Sequence, residues 1–407
     1  MRVLLLTLCY LPDGAPNASV MAGLSEGLRA LGHEILVITA FPHYGQSRPY
    51  VGYGGWRVKR EVNNGIQIAR TPLYVGREGS PTQKVLSWLS FNLIGGWAAS
   101  RAGPADVIIT PSPPPTLGLS GWLLGRLWGV PYIYNPQDIY PDVAVEQGFL
   151  HNRQLIALLR KVEDFIYAKA GAITVLSESH RANLMAKRVP PSKVVVIPNL
   201  VDTDFIRPLP RHNPWSACHG LDTSFVVTYA GNISASQRLK TLIDAASLLR
   251  KEGNILFLVI ARGTGKSLLE AQARSQGLNN IRFLPFQRWE FVPQLYASAD
   301  AHLVLLRRGI ASSFPSKTYS IMGAGRPLLA AVDESSEVGN LIQRTKTGIV
   351  VPPEDPQALV RAILRMANGQ EVRHSMGERG RRYVLEHHSK QAVALRYDAL
   401  IRRLVAR

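Results

Sequence analysis

Residues 3–39 have the sequence VLLLTLCYLPDGAPNASVMAGLSEGLRALGHEILVIT, and this stretch decides the fold class. It begins with an apolar run over Val3–Leu8, which is typical of a strand buried on both faces of a parallel sheet. A turn around Gly14 and an amphipathic helical pattern over about Ser19–Leu31 follow, and a second apolar run covers Ile35–Thr39. This order predicts the first strand, helix, strand unit of a doubly wound α/β domain.

The same alternation continues along the chain, stops, and then restarts. Further strands are predicted at Ile66–Arg70, Val107–Thr110, Tyr132–Tyr134, Ala172–Leu176, Phe225–Tyr229, Ile255–Ile260, Ile281–Pro285, Ala301–Leu306, Leu328–Val332 and Gly348–Val351. A Pro-containing stretch from Pro198 to Pro214 separates the two series and is typical of a linker.

The length favours two domains, because single cores stop growing at about 250–300 residues and the chain has 407. We predict two Rossmann-like domains, residues 1–203 and 204–389, that face each other across a cleft. A helix over about 390–407 is expected to pack back on the first domain.

The composition restricts where the protein works. Its two cysteines, Cys9 and Cys218, are far apart in sequence, so neither a disulfide framework nor a Cys-based zinc site is expected. No run reaches the ~18 apolar residues of a spanning helix. The apolar start continues into the strand and helix pattern, which disfavours a signal peptide. We therefore expect a cytoplasmic protein, bound peripherally at the inner face of the cell membrane.

The charge balance indicates anionic partners. The formal net charge is +18, from 47 Lys and Arg against 29 Asp and Glu, and such a field attracts anions. The basic residues are dispersed and form no compact recognition motif, which disfavours nucleic acid. An anionic membrane surface and phosphorylated ligands are the expected partners. An Arg-rich proteome that favours basic surfaces is the alternative explanation.

Several motifs carry a resemblance to a known family. They are ALGHEILVIT at 30–39, VLSESH at 175–180, VVVIPNLVD at 194–202, YAGN at 229–232 and GIVVPPEDP at 348–356. Together, and in this order, they resemble the retaining family-4 glycosyltransferases of the GT-B fold. The segments NPQDIYPD at 135–142, AGNI at 230–233 and PSK at 315–317 are similar to the branch that builds capsule, exopolysaccharide and O-antigen units, including its fucosaminyltransferase-like members.

The resemblance implies an activity. Such an enzyme transfers a sugar, with retention of configuration, from a nucleotide diphosphate sugar to a polyprenyl-diphosphate-linked or growing polysaccharide acceptor. It implies a uridine donor, no metal and no cofactor, with retention by front-face attack rather than through a committed enzyme nucleophile. A nucleotide-sugar epimerase of the same fold and a noncatalytic homologue that binds membranes or partners are the alternatives.

The segment SFPSKTYSIMGAG at 313–325 predicts a short helix that starts near Ser316. Lys317 falls in its first turn, where a cation opposes the helix dipole by ~0.3–1 kcal/mol. A diphosphate would compensate both charges, so Lys317 is a candidate for stabilising the leaving group, with Ser316 beside it. A solvated lysine is the alternative.

Two departures from the family pattern concern the donor. The resemblance implies Glu-x7-Glu across this helix, but Ser312 and Ser320 stand at those positions. We predict that Glu337, in preference to Glu334, binds the ribose, with a simple helix-dipole role as the alternative. Because the usual Arg and Lys after the first strand of the second domain are also missing, Arg238 and Lys317 are predicted to hold the diphosphate.

Further donor contacts are predicted around these residues. Asn232 ends a strand, and Arg262 is a third candidate for the phosphates. Phe286 and Gln287 are placed by the resemblance beside the base, with an exposed loop as the alternative. Gly14 would bring the backbone of the first domain close to the donor, and an ordinary strand-to-helix turn is the alternative there.

Asp138 is the candidate catalytic residue of the first domain. It follows the strand Tyr132–Tyr134, at the edge where doubly wound sheets present ligands. Its carboxylate could accept the proton of the acceptor hydroxyl or balance the charge of an oxocarbenium-like transition state. The alternative is a cap of a helix that begins near Tyr140.

The segment from Ser80 to Arg101 is predicted to dock on the membrane. It offers the apolar residues Val85, Leu86, Trp88, Leu89, Leu93 and Trp97, with the cations Arg77, Lys84 and Arg101 beside them. This composition suits an interfacial helix on anionic lipid. A core helix that buries both tryptophans is the alternative.

Overall fold

The computed structural model describes residues 1–76, 80–146, 148, 150–233, 237, 239–263, 265–309 and 314–406. The chain divides into two compact units, Met1–Leu200 with Lys390–Arg407, and Val201–Ser389. The division after Leu200 lies close to the predicted boundary at 203.

Unit 1 contains a sheet of eight strands. They are β1 Arg2–Leu6, β2 Glu34–Ala40, β3 Lys59–Asn63, β4 Ile66–Thr71, β5 Val107–Pro111, β6 Tyr132–Asn135, β7 Ala172–Val175 and β8 Val194–Val196. The order is β3-β4-β2-β1-β5-β6-β7-β8, and all neighbours are parallel except β3 and β4. The sheet therefore has its ligand-bearing carboxyl edge formed by the loops after β1, β2, β4, β5, β6 and β7.

The helices of unit 1 cover both faces of this sheet. They are α1 Pro16–Ala30, α2 Pro81–Ser100, α3 Leu117–Trp128, α4 Asp142–Glu146, α5 Arg153–Lys169, α6 Glu178–Ala186 and, from the end of the chain, α15 Lys390–Val405. α15 packs against α1, where Gly27 leaves room for the Ala394 side chain. Two apolar layers result, one holding α1 and α15 and the other holding α2, α3 and α5.

Unit 2 contains six parallel strands. They are β9 Phe225–Asn232, β10 Ile255–Arg262, β11 Ile281–Leu284, β12 Ala301–Leu305, β13 Leu328–Ala331 and β14 Gly348–Val351, in the order β11-β10-β9-β12-β13-β14. Its helices are α7 Pro214–Cys218, α8 Lys240–Leu248, α9 Lys266–Ser275, α10 Val292–Ala297, α11 Lys317–Gly323, α12 Glu337–Thr345, α13 Pro356–Asn368 and α14 Gln370–His388. Strands such as β12 are buried along their whole length, as expected for a sheet covered on both faces.

The two Rossmann-like units confirm the predicted fold class, but two strands of unit 1 were missed. β3 is an antiparallel edge strand whose residues alternate charge and polarity and are largely exposed, so it lacks the apolar run of a buried strand. β8 is only Val194–Val196, too short for a pattern to detect. The predicted linker also ends inside a helix, because Pro214 begins α7 under an Asn213 cap.

The described helix α2 has one buried and one exposed side. Phe91 is fully buried, whereas Leu93 is 75% and Trp97 55% exposed. The core-helix alternative is therefore wrong for Trp97. The inclusion of Trp88 in the exposed surface is also wrong, because its ring packs edge-on against Tyr140 and partly against the core. In the part of the chain that the structure describes, no helix combines the length and apolarity needed to cross a bilayer.

Candidate active site

A partly buried lysine marks the carboxyl edge of the unit 2 sheet. Lys317 begins α11, as the sequence predicted, and its Nζ lies 3.7 Å from the centre of the Tyr229 ring. Gly231 has φ +154° and no side chain to interfere, since a Cβ there would lie 3.2 Å from Lys317 Nζ. Burial lowers the pKa of Lys317 to about 7, and among the described residues no carboxylate pairs with it. In the described part of the chain, this edge thus holds a lysine with a lowered pKa and no carboxylate partner.

Asn232 and Arg262 lie side by side at the ends of β9 and β10. They are partners in the strand register, and Arg262 Nε donates to Asn232 Oδ1 at 3.0 Å. The Tyr229 hydroxyl donates to the Asn232 carbonyl at 2.7 Å, which connects this pair to the ring beneath Lys317. The guanidinium carbon of Arg262 stands 4.6 Å from the centre of the Phe286 ring. Tyr229 therefore links four residues that the sequence predicted at the site of the sugar donor: Lys317, Asn232, Arg262 and Phe286.

Gln287 is turned toward the interior of unit 2. It accepts from Trp215 Nε1 at 3.4 Å and donates to the Pro285 carbonyl at 2.8 Å. Phe286, in contrast, is 54% exposed. The loop after β11 therefore presents Phe286 at its surface, while the Gln287 side chain supports the loop.

Glu337 begins α12, as predicted. The Ser336 side chain caps this helix by accepting from the Gly339 amide at 3.1 Å. Burial raises the pKa of Tyr319 in α11, and the charges of Tyr383 and Glu337 add to the shift. The helix α11 that carries Tyr319 also carries Ser320 and follows Ser316. Arg238, Ser312, Ser313 and Arg77 lie outside the described residues.

Asp138 lies just after β6 at the carboxyl edge of unit 1. Its residue surface is exposed, but nearby protein partly desolvates the carboxyl group and raises its pKa against the opposing attraction of His180 and Lys84. Within the described part of the chain no backbone amide donates to this carboxylate. Since α4 begins only at Asp142, a helix-capping role has no support.

A polar network holds the loop that carries Asp138. Gln137 and Asn199 join their side-chain amides, with Asn199 Nδ2 donating to Gln137 Oε1 at 2.7 Å. Gln137 Nε2 donates to Asn135 Oδ1 at 2.6 Å, and Asn135 Nδ2 donates to the Thr174 carbonyl at 2.9 Å. The Thr174 hydroxyl contacts the Tyr397 hydroxyl of α15 at 3.0 Å. Hydrogen bonds therefore join the segments 135–138 and 197–199, and together these segments support the loop that ends at Asp138.

Gly14 is exposed and contacts a loop of its own unit. Its amide donates to the Tyr50 hydroxyl at 3.3 Å, and a Cβ at position 14 would meet that oxygen at 3.2 Å. The Asp13 carboxylate accepts from the amides of Ala15 and His43 at 3.0 and 2.9 Å. The turn thus receives the loop after β2, a contact that the sequence did not predict.

Tyr229 is the residue that the sequence reasoning missed in unit 2. It lies within the YAGN motif, but a fully buried aromatic residue in a strand is indistinguishable by pattern from any core residue. The available signal was the glycine two residues later, which leaves room for Lys317. Among the described residues, no group of three or more His, Cys, Asp or Glu could hold a metal ion.

Family models identify the class of protein that this fold and these residues form. A model described as "Glycosyl transferase 4-like domain" matches residues 18–200, and one described as "Glycosyl transferases group 1" matches residues 215–383. The chain belongs to these glycosyltransferases and has their GT-B fold; it is an enzyme of that class. This confirms the resemblance to the family, whereas the narrower branch stays a prediction.

Individual relatives agree with this class. The "Putative colanic acid biosynthesis glycosyl transferase WcaI" of Escherichia coli is 29% identical over 374 residues, which cover 89% of this chain and 91% of WcaI. The O-antigen chain mannosyltransferase C of Escherichia coli is 26% identical, covering 60% of this chain and 64% of that protein. Both names refer to the biosynthesis of polysaccharides.

Solved structures share the fold at low identity. A sucrose-phosphate synthase from Thermosynechococcus elongatus has a TM-score of 0.72 and 20% identity, with 100% of each chain covered. Anabaena HepE in complex with UDP-glucose has a TM-score of 0.69 and 15% identity, covering 99% of this chain and 100% of HepE. At these identities the likeness establishes the fold alone.

Proposed function

We propose that the enzyme transfers a sugar, with retention of configuration, from a nucleotide diphosphate sugar to a hydroxyl of a lipid-linked or growing polysaccharide acceptor. The bond between the anomeric carbon and the diphosphate oxygen breaks, and the acceptor oxygen forms a bond on the same face of the sugar. The acceptor gives up its proton and the diphosphate leaves with the electron pair. The observation that carries this proposal is the Lys317 ammonium, which lies on the Tyr229 ring without a carboxylate partner among the described residues.

The donor is assigned to unit 2. Lys317 and Arg262 would neutralise the diphosphate, and Asn232 would hold Arg262 in place. Arg238, outside the described residues, is proposed to share this task. Phe286 and the backbone at Gln287 would contact the base, and Glu337, Ser316 and Ser320 would contact the ribose or phosphates. A helix start and cations suffice for such a charge, so no metal or cofactor is included.

The base is proposed to be uracil. The structural neighbour HepE was solved with UDP-glucose, which supports this choice. A relative from Mycobacterium tuberculosis, 23% identical, is named a GDP-mannose-dependent alpha-mannosyltransferase, so guanine is the base to test against it.

The acceptor is assigned to unit 1, with Asp138 as the group that receives the proton or stabilises positive charge at the anomeric carbon. Its raised pKa, caused by desolvation, increases its basicity. The names of WcaI and of the O-antigen mannosyltransferase support an acceptor that belongs to a polysaccharide under construction. Gly14 lies at the same carboxyl edge, and its backbone is assigned a close contact with the donor sugar.

Membrane docking is assigned to α2 with the neighbouring side of α3. Asn92 of α2 donates to Thr116 Oγ1 at 2.9 Å and accepts from Ser120 at 3.1 Å, so the two helices lie against each other. Their outward residues are apolar and exposed: Val85 48%, Leu86 53%, Leu89 47%, Leu93 75%, Trp97 55%, Leu123 61% and Leu127 64%. Arg101 lies over the Trp97 ring at 5.3 Å. An apolar face edged by cations suits the inner membrane surface, with the enzyme on its cytoplasmic side.

Ligand-dependent melting tests the donor assignment first. UDP at one hundred times its dissociation constant should stabilise the protein by about 2.7 kcal/mol, and GDP by much less. Labelled UDP-sugars would then be incubated with lipid-linked oligosaccharides extracted from the source organism, and the product anomer determined by NMR. Absence of nucleotide binding and of transfer would overturn the proposal. Isomerised UDP-sugar without acceptor would instead indicate the epimerase.

A further inference from the structure

The loop between β2 and β3 presents large side chains to solvent. Val51 is 100%, Trp56 92% and Tyr44 42% exposed. Burying a large aromatic side chain is strongly favourable, so a nearly bare indole is unusual unless it serves a contact. Positive φ angles at Gly45, Gly52 and Gly55 shape the turns of this loop. The loop between β2 and β3 therefore has defined turns and presents an exposed aromatic residue, Trp56, at its surface.

The loop is fixed to the rest of unit 1. The Tyr50 hydroxyl accepts from the Gly14 amide and donates to the Tyr44 carbonyl at 3.0 Å. The Tyr50 amide donates to the Pro42 carbonyl at 2.8 Å. Lys59 Nζ stands 5.7 Å from the centre of the Tyr53 ring, and the Arg70 guanidinium 5.3 Å from the same ring. Trp56 is thus displayed by an anchored support, which lowers the entropy cost of binding a ligand.

The loop also lies on the ligand-bearing edge of the sheet. It leaves β2 at its carboxyl end and enters β3, whose first residue Lys59 pairs with Arg70 near the carboxyl end of β4. Trp56 precedes that position by three residues in sequence. The Gly14 contact ties the same loop to the turn after β1. Its place in the fold is therefore the edge where Asp138 also lies.

The charges of the loop favour a phosphorylated ligand. Arg48 and Arg57 are exposed, and neither has a hydrogen bond or ion pair within the described ranges. Arginine binds phosphate oxygens through two parallel donors. The Asp13 carboxylate of the turn after β1 is buried and already accepts from two amides. Two guanidinium groups without partners among the described residues, on the same loop as an exposed indole, match a sugar that carries a diphosphate.

We propose that residues 44–57 bind the head of the lipid-linked acceptor, with Trp56 stacking on its saccharide and Arg48 and Arg57 contacting its diphosphate. This rests on the proposed glycosyl transfer and names where its acceptor is recognised. The exposed face of α2 carries four aliphatic residues and Trp97, whereas this loop combines rings, glycines and arginines around a single aliphatic residue, Val51. The loop is therefore assigned to a polar sugar ligand and α2 to lipid.

The test compares Trp56→Ala and the double variant Arg48→Gln/Arg57→Gln with Leu268→Ala, a control that removes an exposed apolar side chain from α9 of unit 2. Transfer from a labelled UDP-sugar to extracted lipid-linked oligosaccharides is measured in detergent, where membrane docking no longer contributes. We expect the acceptor KM to rise about tenfold in both loop variants. The kcat at saturating acceptor, the melting temperature and the UDP-induced shift should stay at parental values, and Leu268→Ala should keep the parental KM.

The outcomes separate this proposal from the one on which it rests. If the parent enzyme transfers no sugar in this assay, the proposed function is overturned. Active loop variants with an unchanged acceptor KM would overturn only the assignment of the loop. If Trp56→Ala instead abolished flotation with anionic vesicles while its KM in detergent stayed parental, the loop would be a membrane contact and the saccharide assignment wrong. A Trp56→Phe variant with an intermediate KM would support stacking.

Discussion

The carboxyl edges of the two sheets carry opposite chemistry. In unit 2 the part of the edge at β9 and β10 is cationic, with Lys317 on the Tyr229 ring and Arg262 beside Asn232. In unit 1 the edge holds the carboxylates of Asp13 and Asp138, and Lys84 and His180 attract the Asp138 carboxylate. The same strand and helix order therefore supports two unlike binding surfaces, because the loops after the strands decide the chemistry.

The two edges also differ in how their key groups are held. Lys317 is partly buried and has no carboxylate partner among the described residues; burial disfavours its charged form, and a bound anion would favour it. Asp138 stays exposed at the end of a loop fixed by Gln137, Asn199 and Asn135. We infer from this difference that the edge of unit 2 is organised to bind a ligand group whose charge is constant, and the edge of unit 1 to bind ligands that vary more.

Lys317→Ala should have the largest effect. Removing one preorganised electrostatic contact to the leaving group typically lowers turnover by about 10²–10³-fold. The fold should be kept, because no ion pair in the described residues depends on this lysine. Steady-state kcat would be compared with that of Lys240→Ala, an exposed lysine of the same unit that pairs with Asp244. Parental turnover in Lys317→Ala would place the diphosphate elsewhere.

Asp138→Asn should lower kcat by about 10²-fold, within the range of a lost general base. The raised pKa of Asp138 means that protonation, and loss of activity, begins at a higher pH than for an ordinary aspartate. The acid limb of the rate profile should therefore disappear in the variant. Asp164→Asn, on the exposed side of α5, is the control. An acid limb that persists in Asp138→Asn would assign it to another group.

The sequence predicted the buried strands, because long apolar runs between helical patterns have one physical explanation. It also predicted that Lys317 lies in the first turn of a helix and that Glu337 begins one, because Ser316 marks a helix start and an apolar helical pattern follows Glu337. It did not predict contacts between distant segments. Tyr50 on Gly14, and Gln137 on Asn199, are set by tertiary packing across 36 and 62 positions. The sequence also overestimated the exposure of Trp88, because its partner Tyr140 is far away in the chain.

Leu89→Ser with Leu93→Ser should weaken binding to anionic vesicles at least tenfold, since each leucine removed from lipid costs about 1.5–3 kcal/mol. Donor hydrolysis should remain parental, because both side chains are exposed on α2. Flotation at low salt is the measurement. Leu268→Ser, 73% exposed on α9 of unit 2, is the matched control. Equal flotation of all proteins would show that α2 does not dock.

The affinity for UDP should fall as the pH rises above about 7. The pKa of Lys317 is lowered to about 7 by burial, and a bound diphosphate would raise it by favouring the ammonium form. Below this value the lysine is charged in both states, so affinity is constant. Above it, binding must take up a proton, and affinity should drop up to tenfold per pH unit. Calorimetry on the parent and Lys317→Met would show the slope only in the parent.

Glu337→Ala should have the smallest effect, about a fivefold loss of UDP affinity, because a single hydrogen bond to a ribose contributes about 1 kcal/mol net. Melting should change little, since the cap of α12 is provided by Ser336 and not by Glu337. Uridine and uracil distinguish a ribose contact from a general charge effect: the variant should lose affinity for uridine and not for uracil. Glu334→Ala, exposed just before α12, is the control. If both variants bind uridine like the parent, ribose recognition rests on Ser320 or on backbone groups, and the acidic residue lost from the family pattern has no substitute at position 337.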